Sequence, residues 1–182
     1  MPTARPLPFV FRIAREADIP VLAALMQRAI GQLLKPYLSP EQVQASFEIM
    51  GLDTQLIADG TYFVADVDGA PAACGGWSRR MTHFGGDHSP GRDARLLQPP
   101  DEAARVRAMY THPDFARRGG GRAMLAHCER AAAAEGFTRV ELVATMAGLP
   151  LYRACGYEDL EAFDEIAPSG IAVPVVRMQK RL

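Results

Sequence analysis

The sequence predicts one α/β domain on a mixed sheet, spanning residues 1–182. Three observations carry that reading. Runs that alternate apolar and polar residues are interleaved with runs whose apolar residues recur every three or four positions, so strands and helices share one chain. No repeat, low-complexity tract or linker divides it, and 182 residues suit a single core. Apolar residues make up 48% of the chain and charged residues 23%, enough to build that core and too apolar for disorder.

Taken in order, Phe9 to Arg15 alternates and reads as a first strand. Asp18 is the expected cap of a helix with Pro20 in its first turn, and Leu22, Leu25, Met26, Ala29 and Leu33 give that helix one apolar stripe. Pro36 ends it. Ser39-Pro-Glu-Gln42 carries a capping box and starts a second helix that runs to about Met50. Thr61 to Val67 and Ala72 to Ser78 read as strands joined by the Asp68-Gly69 turn. Arg79 to Glu102, with Gly85-Gly86, Pro90-Gly91 and Pro99-Pro100, has no periodicity and reads as a long functional loop. A strand from Arg105 to Thr111 leads through His112-Pro113 and the Gly119-Gly120-Gly121 cluster into a helix closed by Gly136. A strand from Thr138 to Thr145, a short helix from Leu149 to Cys155 and two strands near Tyr157–Phe163 and Ile171–Met178 complete the order.

Composition narrows the function. Net charge is −1, so the broad cationic field of a nucleic-acid or anionic-membrane binder is absent. No apolar run reaches the ~20 residues of a membrane span, and no apolar stretch follows Met1–Arg5 as in a secretory signal. Cys74, Cys128 and Cys155 are odd in number and far apart, which suits neither a disulfide frame nor a zinc site. A cytoplasmic protein is expected. His83-Phe-Gly-Gly-Asp-His88 has metal-ligand residue types on a flexible run and is not read as a metal site, and Asp66-Val-Asp-Gly69 is read as a turn rather than a calcium loop.

The segment that carries chemistry runs from Arg107 to Leu125. The first amides of a helix lack partners within it and, with the helix dipole, form an anion site. Gly119, Gly120 and Gly121 let a ligand approach the backbone, and Arg117, Arg118 and Arg122 add positive charge, so a phosphorylated cofactor is the natural occupant. A dinucleotide fingerprint would need a glycine at Met124, and a P-loop would need Gly-Lys-Ser/Thr; both are absent.

Met109-Tyr-Thr-His-Pro-Asp-Phe-Ala-Arg-Arg-Gly-Gly-Gly-Arg-Ala-Met-Leu125 resembles the acetyl-CoA signature of the GCN5-related N-acetyltransferases, the GNAT family, and Leu149-Pro-Leu-Tyr-Arg-Ala-Cys-Gly-Tyr157 is similar to that family's second landmark. The resemblance covers nearly the whole chain. It implies a mixed, mostly antiparallel, twisted sheet of about seven strands with about four helices on both faces. It implies acetyl-CoA as cosubstrate, no metal, and a direct transfer to an amine in a ternary complex. Met109, Tyr110 and Thr111 would lie along the pantetheine arm, the amides from Arg117, Arg118, Gly119, Gly120, Gly121 and Arg122 to Ala123 would hold the pyrophosphate, Met109 N–H would face the oxyanion, and Tyr152 would be the general acid. Without the resemblance, Tyr152 reads as a core aromatic on a short helix.

The acceptor expected is a small-molecule amine, bound between the first two helices and the 79–102 loop, with no nucleic-acid or membrane partner and a homodimer as the assembly the family suggests. A non-catalytic acyl-CoA sensor is the rival. The sequence departs from the family at Ala116 and Thr111, and above all at Arg105, where many members carry a basic glutamate. The general base is therefore open among Glu102, His83, Asp87 and His88.

Overall fold

A computed structural model describes residues 8–182. Its order is β1 (Val10–Ile13), α1 (Ile19–Leu33), α2 (Pro40–Ile49), α3 (Thr54–Ala58), β2 (Tyr62–Val67), β3 (Ala70–Ser78), β4 (Ala104–Thr111), α4 (Gly120–Ala134), β5 (Arg139–Thr145), α5 (Leu149–Ala154), β6 (Glu158–Ile166) and β7 (Ala172–Arg181). The seven strands form one sheet in the order β1-β2-β3-β4-β5-β7-β6. Every pairing is antiparallel except β4 with β5, so the expected mixed, mostly antiparallel sheet is what the chain forms.

Each face of the sheet buries its own apolar layer. Met124, Leu125 and Cys128 of α4 pack with Trp77, Val106, Val140 and Leu142 on one side. Leu22, Met26 and Ile30 of α1 pack with Leu56, Tyr62, Val64 and Cys74 on the other. Burying side chains of this kind stabilises the fold by roughly 1.5–3 kcal/mol each before conformational entropy is counted.

Local signals behave as chemistry dictates. The Ser39 hydroxyl accepts from Gln42 N–H at 3.2 Å while Gln42 Oε1 accepts from Ser39 N–H at 3.1 Å, closing the capping box. Asp68 and Gly69 both have positive φ, 50° and 79°, as a two-residue hairpin of the primed type requires. Asp18 does not cap α1. Its carboxylate accepts from Arg15 N–H and pairs with Arg12 instead, because a 3-10 turn at Glu16–Asp18 precedes the helix. The structure also has a fifth helix, α3, where four were expected. It is five residues long, too short to show a period, and is started by Asp53, whose side chain accepts from Gln55 N–H.

The 79–103 segment folds back on itself. Met81 N–H donates to Arg95 O, Thr82 N–H to Asp93 O and Leu97 N–H to Arg79 O. Arg80 bonds to Asp59, and the middle of the segment docks on the α2–α3 connection through Asp87 N–H to Leu52 O and Ser89 Oγ to Ile49 O. It forms a fixed wall over the middle of the sheet.

Candidate active site

The site begins where the sheet fails to close. β4 and β5 pair only at Ala104 with Val140 and Arg105 with Glu141. Beyond those residues the two strands diverge and one side of β4 is left without a partner strand.

A bulge in β4 sets what faces the opening. Cys74 pairs with Tyr110 and Gly76 with Arg107, so Ala108 and Met109 together oppose Gly75. Ala108 has φ +51°, which a non-glycine residue holds only when its surroundings enforce it. Two contacts do so: Tyr62 Oη donates to Ala108 O at 2.8 Å, and Gly51 N–H donates to Tyr110 Oη at 3.1 Å. Gly75 is the other half of the device, since a Cβ there would lie 2.3 Å from Met109 Sδ and 2.9 Å from Met124 Cγ. His112 N–H bonds to Ala72 O on β3. Backbone groups alternate sides along an antiparallel pair, so Thr111 and Met109 turn theirs to the opening.

Two cavities meet at the divergence. The larger, about 610 Å³, runs between the C-terminal half of α1, the end of β4, the start of α4 and α5. The smaller, about 110 Å³, lies under the 83–85 loop and the ends of β5, β6 and β7. Met50, Met109, Tyr110, Thr145 and Tyr152 line both.

At the far end of the larger cavity, Arg117 (φ +63°) and Gly119 (φ +91°) turn the chain into α4. Gly119, Gly120, Gly121, Arg117 and Arg122 line the cavity, and the side chains of Arg117, Arg118 and Arg122 are exposed. Amides without a helical partner end at Arg122: Ala123 N–H already donates to Gly119 O at 3.0 Å, so Ala123 borders the loop without a free donor. Gly121 lies against Leu151 of α5, where a Cβ would come within 2.9 Å of Cδ2, so helix and loop are closely fitted. Unpaired amides, glycine access and volume fit a phosphorylated, extended ligand such as a coenzyme A thioester.

Tyr152 stands at the junction. Its ring is buried, packs edge-on to Tyr157 with centroids 5.8 Å apart, and fits only because Gly148 has no side chain: a Cβ there would be 2.8 Å from Tyr152 Cε2. Among the described residues no group hydrogen-bonds its hydroxyl. Burial raises the Tyr152 pKa, with Cys128 and Cys155 adding to the effect, so it holds its proton throughout the neutral range.

The expected bases separate. Glu102 is a surface residue bound to Arg95 at 2.7 Å, which holds its carboxyl at about 2, and it lines neither cavity. Asp87 is exposed and accepts from Thr54 N–H; His88 is exposed and lies against Gly51. Neither lines a cavity. His83 does line the smaller one; burial and then Arg105 lower its pKa, so it stands neutral. Among the described residues no three His, Cys, Asp or Glu side chains gather as metal ligands would, in this run or elsewhere.

Sequence reasoning missed three residues around the smaller cavity. Arg107 is buried in an ion pair with Asp53 at 2.5 Å and donates to Gly85 O, tying the loop to the sheet. Glu165 of β6 lines the same cavity.

Comparison with known proteins follows the same lines. No curated protein matches the sequence. Among solved structures, the chain is similar to a GCN5-related N-acetyltransferase of Rhodopseudomonas palustris, at 20% identity and TM-score 0.71, over 100% of this chain and 99% of that one. It is similar to the PaiA N-acetyltransferase of Thermoplasma acidophilum in complex with coenzyme A, at 11% and 0.63, over 97% and 100%. It is also similar to a phosphinothricin acetyltransferase of Sinorhizobium meliloti in complex with acetyl-CoA, at 18% and 0.62, over 96% and 88%. These likenesses are of fold. The model of the acetyltransferase (GNAT) family matches residues 26–157, and the chain belongs to that family.

Proposed function

We propose that the protein is an acetyl-CoA-dependent N-acetyltransferase that acetylates a primary amine of a small molecule by direct attack in a ternary complex. One observation carries the reading: the unpaired edge of β4 at Met109 and the free hydroxyl of Tyr152 face the same junction of two cavities. The larger cavity ends in an anion site and suits the donor; the smaller is the acceptor's.

Acetyl-CoA supplies the acetyl group as its thioester. The amides from Arg117 to Arg122 hold the pyrophosphate, and Met109, Tyr110 and Thr111 line the arm, with Met109 and Thr111 bonding to it as a strand would. An attacking amine pushes charge onto the carbonyl oxygen, and the Met109 N–H receives it; a preset donor of this kind is worth about 3–4 kcal/mol. Tyr152 donates its proton to the departing sulfur, so that it leaves as the neutral thiol and not as a thiolate of pKa ~8.5 in a buried site. The same reading puts the protein in the cytoplasm and takes a homodimer as its assembly. Among the described residues no helix is long and apolar enough to cross a membrane.

Titration of the protein with acetyl-CoA and CoA, followed by an amine panel read as free thiol, tests this directly. Saturable binding with thiol release is expected. Tyr152→Phe is expected to lower turnover by about 10²-fold or more while CoA affinity stays near wild type. Binding without release on every amine would favour the sensor reading, and no binding would overturn both.

A further inference from the structure

Five titratable side chains line the smaller cavity: His83, Arg107, Tyr110, Tyr152 and Glu165. Four have their partners or roles. Tyr110 takes the Gly51 amide, Arg107 is bound to Asp53 and Gly85 O, and Tyr152 stands at the junction. His83 has Glu141 at 3.9 Å favouring its protonation, while burial, Arg105, Arg177 and Arg107 oppose it, so it stands neutral and holds no charge for an ammonium group.

Glu165 has none of this. It is the one carboxylate on the cavity wall, opposite Val173 of β7, and among the described residues no arginine, lysine or histidine pairs with it. The carboxylates around it are occupied: Asp53 by Arg107 and Arg92, Glu141 by Arg105, Glu161 by Arg177. On α2, Glu48 accepts from Ser169 N–H. Asp164, next along β6, is exposed on the opposite face. Apart from Thr145, the remaining side chains of the wall are apolar, among them Ile49, Val106, Leu142, Val173 and Val175.

We infer that Glu165 receives the acceptor's ammonium group and takes its proton, and that the acceptor is a slender primary amine. This rests on the transferase reading above. An unneutralised carboxylate in an apolar recess attracts a cation strongly. Burial also raises the Glu165 pKa, which makes it a better proton acceptor than a solvated glutamate. A volume of about 110 Å³ is below the ~150 Å³ apolar cavity that admits benzene, so the cavity suits an alkyl chain rather than a peptide.

The protons then balance. The ammonium gives one N–H proton to Glu165, which later releases it to water. The nitrogen lone pair forms the C–N bond as the C–S bond breaks. The sulfur takes the Tyr152 proton, and the second amine proton restores the Tyr152 hydroxyl.

The test uses the full chain and n-butylamine, with two readouts. In thiol release with n-butylamine, Glu165→Gln lowers kcat/KM at pH 7 by about 10²-fold or more and moves the acidic limb of the pH profile up toward pH ~10, where the amine loses its own proton. Acetyl-CoA affinity and melting temperature stay near wild type, and Glu158→Gln, an exposed position on the same strand, changes nothing. In calorimetry with CoA present, n-butylamine binds wild type and loses at least ~10-fold in affinity to Glu165→Gln. Loss of binding in the variant without turnover in wild type supports Glu165 as the ammonium site while the transferase reading fails. An unchanged pH profile and unchanged n-butylamine binding in Glu165→Gln, or the shift of the acidic limb appearing in His83→Gln instead, overturns the inference.

Discussion

Gly75 and Ala108 face each other across the bulge and divide its cost unequally. Ala108 carries a left-handed φ that disfavours it by roughly 1–2 kcal/mol, while Gly75 gives up its side chain so that Met109 and Met124 can fill the space. The bulge is held by packing and by the Tyr62 hydroxyl, not by local preference. Gly75→Ala is therefore expected to destabilise the fold by about 1–3 kcal/mol through overpacking. It would also displace Met109 from the opening and weaken CoA binding. A urea midpoint and a calorimetric CoA titration on the same preparation read the two effects separately.

At the scale of elements, the entrance to α4 is a backbone device. A Cβ on Gly119 would meet no heavy atom within 4 Å, yet its φ of +91° strains any other residue, so conformation alone requires glycine. Gly119→Ala is expected to cost about 1–2 kcal/mol and, by shifting the amides before Arg122, to reduce the rise in melting temperature given by CoA. Thermal denaturation with and without CoA measures both. This half of the site was legible in the sequence because its determinants are consecutive: strand end, His-Pro turn, glycines, helix. Tyr152 was legible through the short segment around it. Glu165 and Arg107 were not, because their meaning comes from the convergence of β4, β6, β7 and the 83–85 loop, and no local pattern records which strands become neighbours. The element order was readable down to the hairpin turn, whereas α3 and the misread cap at Asp18 depend on side-chain partners rather than period.

For the whole molecule, charge is spread as many arginine–carboxylate pairs on a nearly neutral surface. Bonds from Arg12, Arg80 and Arg153 hold Asp18, Asp59 and Asp159 below their usual pKa, and Arg95 holds Glu102 at about 2. A carboxylate whose folded pKa is depressed stabilises the native state above its unfolded pKa and loses that contribution as pH falls to the folded one. Stability is thus expected to be flat near neutrality and to fall between about pH 5 and pH 2, with added salt flattening the slope through the exposed Arg95–Glu102 and Arg153–Asp159 pairs more than through the part-buried Arg12–Asp18 and Arg80–Asp59 pairs. Urea midpoints across that range, at low and high ionic strength, test it.

The short β4–β5 pairing also has a mechanical meaning. Force applied between β1 and β7 must pass from one half of the sheet to the other, and along the backbone ladder it has only two residue pairs through which to cross. Every other joint between neighbouring strands is longer. The opening between β4 and β5 is therefore the molecule's natural tear line, and on the proposed reading a donor lying along it with one flank on β4 and the other on α5 would be the rivet across that line.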